Sequence, residues 1–207
     1  MDFSRYFSQL LDWKKLPAYK LENRVDSFIG YYLKDILAKF TGKSFRDIIP
    51  EFPLRVGTIY PSININKSYK VDFLGICEKG SHILVEIKTD LRSRRDEQDN
   101  YLEIAKEIKL EKLIDGLQKI YKATKADYKD KYRHLIDKLI QVKIMDDLME
   151  FCGDCEELEI IYIQPSNPGN KKNIIDFDFI IDFLKTESTQ NTFEEEFIKV
   201  LQEWKKD

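Results

Sequence analysis

The sequence predicts a mixed α/β (α+β) fold, a central mixed β-sheet flanked by helices and carrying a helical-hairpin insertion. Three observations predict it. Residues 21–40 carry apolar side chains at helical spacing. The segment SYKVDFLGICEKGSHILVEIKTD alternates with period two around a turn, as a β-hairpin does. A long helical pattern over about 97–151 then precedes the apolar run LEIIYIQ, which reads as a buried strand. With 207 residues the chain is long enough for one substantial core, so a single domain over 1–207 is expected.

Composition narrows the class. Hydrophobic residues at 43% and charged residues at 34% describe a globular chain, and only 8 Gly and 6 Pro leave little room for long linkers. A net charge of −3 gives no overall attraction to nucleic acid, so a binder of it would depend on local basic clusters. No apolar run reaches membrane-spanning length, and charges punctuate the opening MDFSRYFSQLLDWKK, so neither a signal peptide nor a span is expected. Three cysteines, an odd number, suit a reducing, cytoplasmic setting.

Taken in order, residues 1–16 form a short amphipathic helix, with Phe3, Tyr6, Phe7, Leu10, Leu11 and Trp13 for packing, ended by Leu16-Pro17. The next helix, about Leu21 to Phe40, places Glu22 roughly 45° from the centre of its apolar stripe and Asp26 near its edge. Thr41-Gly42-Lys43 closes it through a glycine cap. A strand is expected at Phe52–Ile59, with Pro50 and Pro53 confining its start to an edge or entry position, and residues 60–68 form a loop.

In the hairpin, Lys70, Asp72, Leu74 and Ile76 share one face of the first strand. His82, Leu84, Glu86 and Lys88 share a face of the second. A three-residue loop Glu78-Lys79-Gly80, with Gly80 left-handed, sets Asp72 opposite Glu86 with Cβ atoms about 4.5–5.5 Å apart. A two-residue Lys79-Gly80 loop would slip the register and part the two carboxylates. Carboxylates held together repel unless a cation intervenes, and Lys88 supplies one positive charge. Hard oxygen donors at this density suit Mg²⁺ or Mn²⁺. The plainer reading of Val-Glu-Ile-Lys is a half-exposed strand with both charges facing water.

Asp72 on one strand and Glu86-Ile87-Lys88 on the next resemble the motif of the PD-(D/E)XK nuclease superfamily, although Val71 stands where that motif has proline. The resemblance covers about residues 20–165 and implies a restriction endonuclease-like core. It also implies that Asp72, Glu86 and the main-chain carbonyl of Ile87 hold the metal, that Lys88 orients or helps deprotonate the attacking water, and that Glu22, with Asp26 as substitute, completes the site. The implied activity is metal-dependent hydrolysis of phosphodiester bonds in nucleic acid, DNA in the first place. A catalytically inactive module of the same fold that binds nucleic acid or a protein partner is the alternative, and a scaffold that docks through its helical pair is a further one.

After Lys88, Arg92, Arg94 and Arg95 offer bidentate phosphate contacts, or else a solvated loop paired with the acidic DEQD that follows. Helices are expected over about Glu97–Lys122 and Asp127–Phe151, forming a lobe or a homodimer surface. Because the superfamily often carries a glutamine or tyrosine on the helix after the Glu-x-Lys strand, Gln98 and Tyr101 are candidates there, ahead of Gln118 and Tyr121. Lys119, Lys122, Lys125, Lys129, Lys131, Arg133 and Lys138, with Tyr121, Tyr128 and Tyr132 interleaved, form either a nucleic-acid-binding face or the solvated outside of the hairpin. Cys152-Gly-Asp-Cys155 would need two further ligands for a structural zinc site, with only Cys77, His82 and His134 left as Cys or His donors, and reads as ordinary reduced thiols. Leu158–Gln164 is a strand, and residues 173–184 fit both strand and helix. Thr192-Phe-Glu-Glu195 reads as a capping box before a final helix.

Overall fold

The structure, a computed structural model, describes residues 2–13, 22–90, 96–187 and 191–205, with the side chains of 22–25 left out. Five strands form one mixed sheet in the order β1-β2-β3-β4-β5: β1 Phe45–Arg55, β2 Ser68–Cys77, β3 His82–Ile87, β4 Leu158–Gln164 and β5 Ile174–Asp176. The helices are α1 Phe3–Trp13, α2 Glu22–Thr41, α3 Val56–Ile59, α4 Asp96–Ala123, α5 Ala126–Gln141, α6 Phe177–Glu187 and α7 Thr192–Trp204. No described helix is long and apolar enough to cross a membrane. The α+β class is as expected. The chain groups into two compact units, Met1–Phe40 with Glu86–Arg94 and Ile161–Asp207, and Thr41–Val85 with Arg95–Ile160.

In the first unit, α1 lays Phe7 against Phe28 and Phe193, with ring centroids 5.5 and 5.4 Å away. Phe197, at 6.0 Å, completes the cluster from α7. Trp13 does not join it: expected to pack, it is 41% exposed at the last position of α1. Residues 173–184 divide between the two expected periods. Ile174–Asp176 pairs with β4 in parallel, and α6 starts at Phe177, where the Asp176 carboxylate accepts the Phe179 N–H. The capping box of α7 lies one residue earlier than expected. Asn191 is the N-cap and Glu194 its reciprocal partner, because the Asn191 side chain accepts the Phe193 and Glu194 N–H groups.

In the second unit, β1 and β2 pair antiparallel from Phe45↔Cys77 to Arg55↔Ser68. The expected strand at Phe52–Ile59 is therefore corrected: ten residues of β2 need a long partner, so the strand begins at Phe45 and runs through both prolines, as an edge strand can. It stops at Arg55 because that side chain turns inward. Its Nε donates to Asn66 Oδ1 (2.7 Å) and its Nη2 to Asn64 Oδ1 (2.8 Å), pinning the 60–67 loop. Val56–Ile59 then coils into one helical turn against α4. At Gly57 a Cβ would sit 2.4 Å from Arg55 Nη1, so no larger residue fits there without displacing the guanidinium.

Two expected helices are also corrected. α4 is interrupted at Lys109, whose φ of 66° and ψ of 165° are not helical, and the Leu110 N–H turns to the Glu156 carbonyl instead. α5 ends at Gln141 rather than Phe151. The Ile144 N–H bonds the Leu139 carbonyl, and Met145 bridges to Phe151, making 142–151 a folded-back strap with Leu148 76% exposed.

Candidate active site

The hairpin register is the one that the three-residue loop predicts. Phe73, Leu74 and Gly75 face Val85, Leu84 and Ile83, and Gly80 has a φ of 76°. Asp72 and Glu86 are the next residues along their strands. Asp72 belongs to the second unit, where it is half-buried between Val71 and Phe73. Glu86, Ile87 and Lys88 belong to the first.

β3 is buried along its whole length. It lies between β2 and β4 in the strand order, and its flanking amides bond β4 with a constant offset: His82 N–H to the Glu157 carbonyl (2.9 Å) and Lys88 N–H to Ile163 (2.7 Å). This is a parallel pairing. The reading of Glu86 and Lys88 as charges facing water is therefore corrected, because they are only 1% and 4% exposed. Two residues apart on a strand, their side chains emerge on one face. Lys88 Nζ donates to Glu86 Oε1 at 2.7 Å.

Of the candidates on the following helix, Tyr101 lies beside β2. Its ring stacks on Tyr69 (centroids 4.5 Å apart, planes 9° apart), and its hydroxyl donates to the Lys70 carbonyl at 3.3 Å, two residues before Asp72. Tyr69 in turn donates to Glu97 Oε1 at 3.4 Å. Burial first, then the Glu97 carboxylate, pushes the Tyr69 phenol above its ordinary range. The Tyr69–Tyr101 stack has no signature in the sequence, since it depends on where α4 lies against the sheet. Gln98 is half-buried in the first turn of α4. Gln118 is occupied elsewhere, donating to the Met149 carbonyl, and Tyr121 lies beneath Lys129 at the α4–α5 turn.

Glu22 is the first residue of α2, but its side chain lies outside the described residues, as do Arg92, Arg94 and Arg95. Asp26, its substitute, is half-buried and accepts the Ser27 N–H at 2.6 Å.

All three cysteines are free. Cys152 is exposed, Cys155 half-buried and Cys77 buried, with burial pushing the Cys77 thiol up to about 11. His82 is buried beside it, and its Nδ1 accepts the Cys77 N–H at 3.1 Å, which assigns the proton to Nε2. Burial lowers the His82 pKa. Among the described residues no group of three or more His, Cys, Asp or Glu is placed to hold a metal ion.

No family model, curated protein or solved structure matches this chain. What the fold and the site define is a class of architecture, an α+β protein with a mixed five-stranded sheet and a buried carboxylate–ammonium pair on the third strand.

Proposed function

We propose that this protein is a metal-dependent nuclease with a restriction endonuclease-like core, hydrolysing phosphodiester bonds in nucleic acid, DNA first among its substrates. One observation carries the reading, the burial of Glu86 and Lys88 as an ion pair on an otherwise apolar strand. Withdrawing such charges from water costs several kcal/mol per ion, and an apolar pair of the same size would usually be at least as stable. Charged groups retained at such a cost mark candidate functional sites.

In this proposal the Asp72 and Glu86 carboxylates and the Ile87 carbonyl would hold Mg²⁺ or Mn²⁺, a set that needs only two side-chain donors, with Glu22 as a third. The ion would lower the pKa of a bound water and stabilise charge on the phosphate. Lys88 is the cation left to orient that water and to meet the charge developing on the phosphate oxygens. Arg92, Arg94, Arg95 and Gln98 would contact the substrate backbone. A cytoplasmic location belongs to the same reading and agrees with three free thiols.

The alternative is a binding module of the same fold without the reaction. Cleavage of circular and linear, single- and double-stranded substrates with Mg²⁺ or Mn²⁺ separates the two. The nuclease reading expects metal-dependent cleavage that is lost in Asp72→Asn and in Lys88→Gln, each checked for folding by circular dichroism. Cleavage that survives both substitutions would assign the activity elsewhere. No cleavage, together with no heat of metal binding in calorimetry, would leave the binding module.

A further inference from the structure

A groove of about 430 Å³ lies within the second unit, between α5 and the middle of β1. Its floor is apolar: Ile49, Pro50 and Pro53 from β1, Leu135 and the ring of Tyr132 from α5. Its rim is basic, carrying Lys70, Lys131 and Lys138. The acid of the lining, Glu51, is paired with Lys70 at 2.5 Å, whereas Lys131 and Lys138 make no ion pair with a described residue. Glu51, at the lip of the groove, has a left-handed φ of 53°.

We propose that this groove docks a short acidic amphipathic helix of a partner protein, with apolar side chains on the floor and carboxylates on the rim. The proposal stands on charge complementarity and geometry, and it is independent of the nuclease reading. Lys131 and Lys138 are seven residues apart on α5, so they stand about 10 Å apart along its axis. That is the span between acidic residues at i and i+7 of a facing helix, with apolar residues at i+3 and i+4 directed between them.

Two other occupants fit less well. Strand addition to β1 is disfavoured here because Pro50 and Pro53 offer no N–H groups. A nucleic acid strand would set base edges, which need hydrogen-bond partners, against a mostly apolar floor, with the Tyr132 hydroxyl and the His134 ring as the uncharged polar side-chain groups of the lining.

The test is selection of a phage-displayed random 12-residue peptide library on the full chain, with counter-selection on Lys131→Glu/Lys138→Glu. Both substituted positions lie on the surface of α5, and unchanged circular dichroism and Tm confirm the fold of the variant. The expected result is enrichment of peptides in which apolar residues are flanked by Asp or Glu. Their affinity, read by fluorescence anisotropy, falls at least about tenfold in the double variant and falls with added salt. Leu135→Gln weakens the same peptides, which separates the apolar floor from the charged rim. Enrichment of neutral or basic peptides, no enrichment over the variant, or equal affinity in Leu135→Gln would each overturn the proposal. Tight binding of a 12-nucleotide single strand that is lost in the double variant, while peptides fail to bind, would assign the groove to nucleic acid instead.

Discussion

Lys88 Nζ and Glu86 Oε1 are 2.7 Å apart with side chains only 5% and 2% exposed, so a complete ion pair has been withdrawn from water in the middle strand of the sheet. Truncating Lys88 takes away the ammonium that lies 2.7 Å from the buried Glu86 carboxylate. Lys88→Met is therefore expected to cost about 3–5 kcal/mol in urea unfolding, whereas Glu86→Leu/Lys88→Met recovers most or all of that loss. A loss under about 1 kcal/mol in the single variant would show that water reaches the pair.

Tyr32 donates its hydroxyl to Glu194 Oε1 at 2.9 Å, and Oε2 of the same carboxylate accepts the Asn191 N–H that closes the α7 capping box. One buried acid thus ties α2 to the start of α7. Tyr32→Phe is expected to lose roughly 1.5–3 kcal/mol, the range for a hydrogen bond to a charged group.

The same contact predicts alkaline behaviour. Burial first, then the Glu194 hydrogen bond and charge, raises the Tyr32 phenol above its ordinary value of 10.0. Above pH 10 the unfolded chain releases this proton while the folded one keeps it, so the stability from this group is complete below pH 10 and is lost as pH rises past it. Unfolding midpoints measured from pH 9 to 11 should fall less steeply in Tyr32→Phe than in the parent.

His82 acts at the other end of the scale. Its folded pKa is lowered from 6.5, chiefly by burial. Below pH 6.5 the unfolded state therefore binds a proton that the folded state refuses, and stability falls as pH drops toward the folded pKa. His82→Asn keeps a side-chain acceptor for the Cys77 N–H without this titration, so its stability curve should be flatter between pH 6.5 and 5. Parallel curves would mean that His82 is protonated within the fold.

Thiol reactivity follows exposure. With a water-soluble disulfide reagent at pH 8, Cys152 should react first and Cys155 more slowly, while Cys77, 1% exposed and with its pKa pushed up to about 11, should react only after unfolding. Counting thiols released before and after denaturant, and then in Cys152→Ser, checks the order.

Much of this fold is written in short-range pattern. Period-two alternation and Gly80 located the hairpin and its register, because a turn and its flanking residues are neighbours in the chain. The run from Leu158 to Gln164 is a strand with those limits, and helical spacing bounded α2 to within a residue. The Glu-x-Lys triplet was legible as a candidate site for the same reason, since period two places Glu86 and Lys88 on one face whatever surrounds them.

What the sequence alone could not decide was which surfaces meet across long chain separations. Val-Glu-Ile-Lys has the same pattern whether its charged face is wet or dry, and the burial of that face depends on what packs over the sheet, which local spacing does not encode. The end of β1 depended on Arg55 finding Asn64 and Asn66, and the break at Lys109 on the Glu156 carbonyl claiming the Leu110 N–H. The stacking of Tyr101 on Tyr69 and its bond to the Lys70 carbonyl depended on where α4 packs against β2. Local sequence sets periodicity and turns. Burial, strand ends and the partners of polar groups are set by contacts that exist only once distant segments have packed.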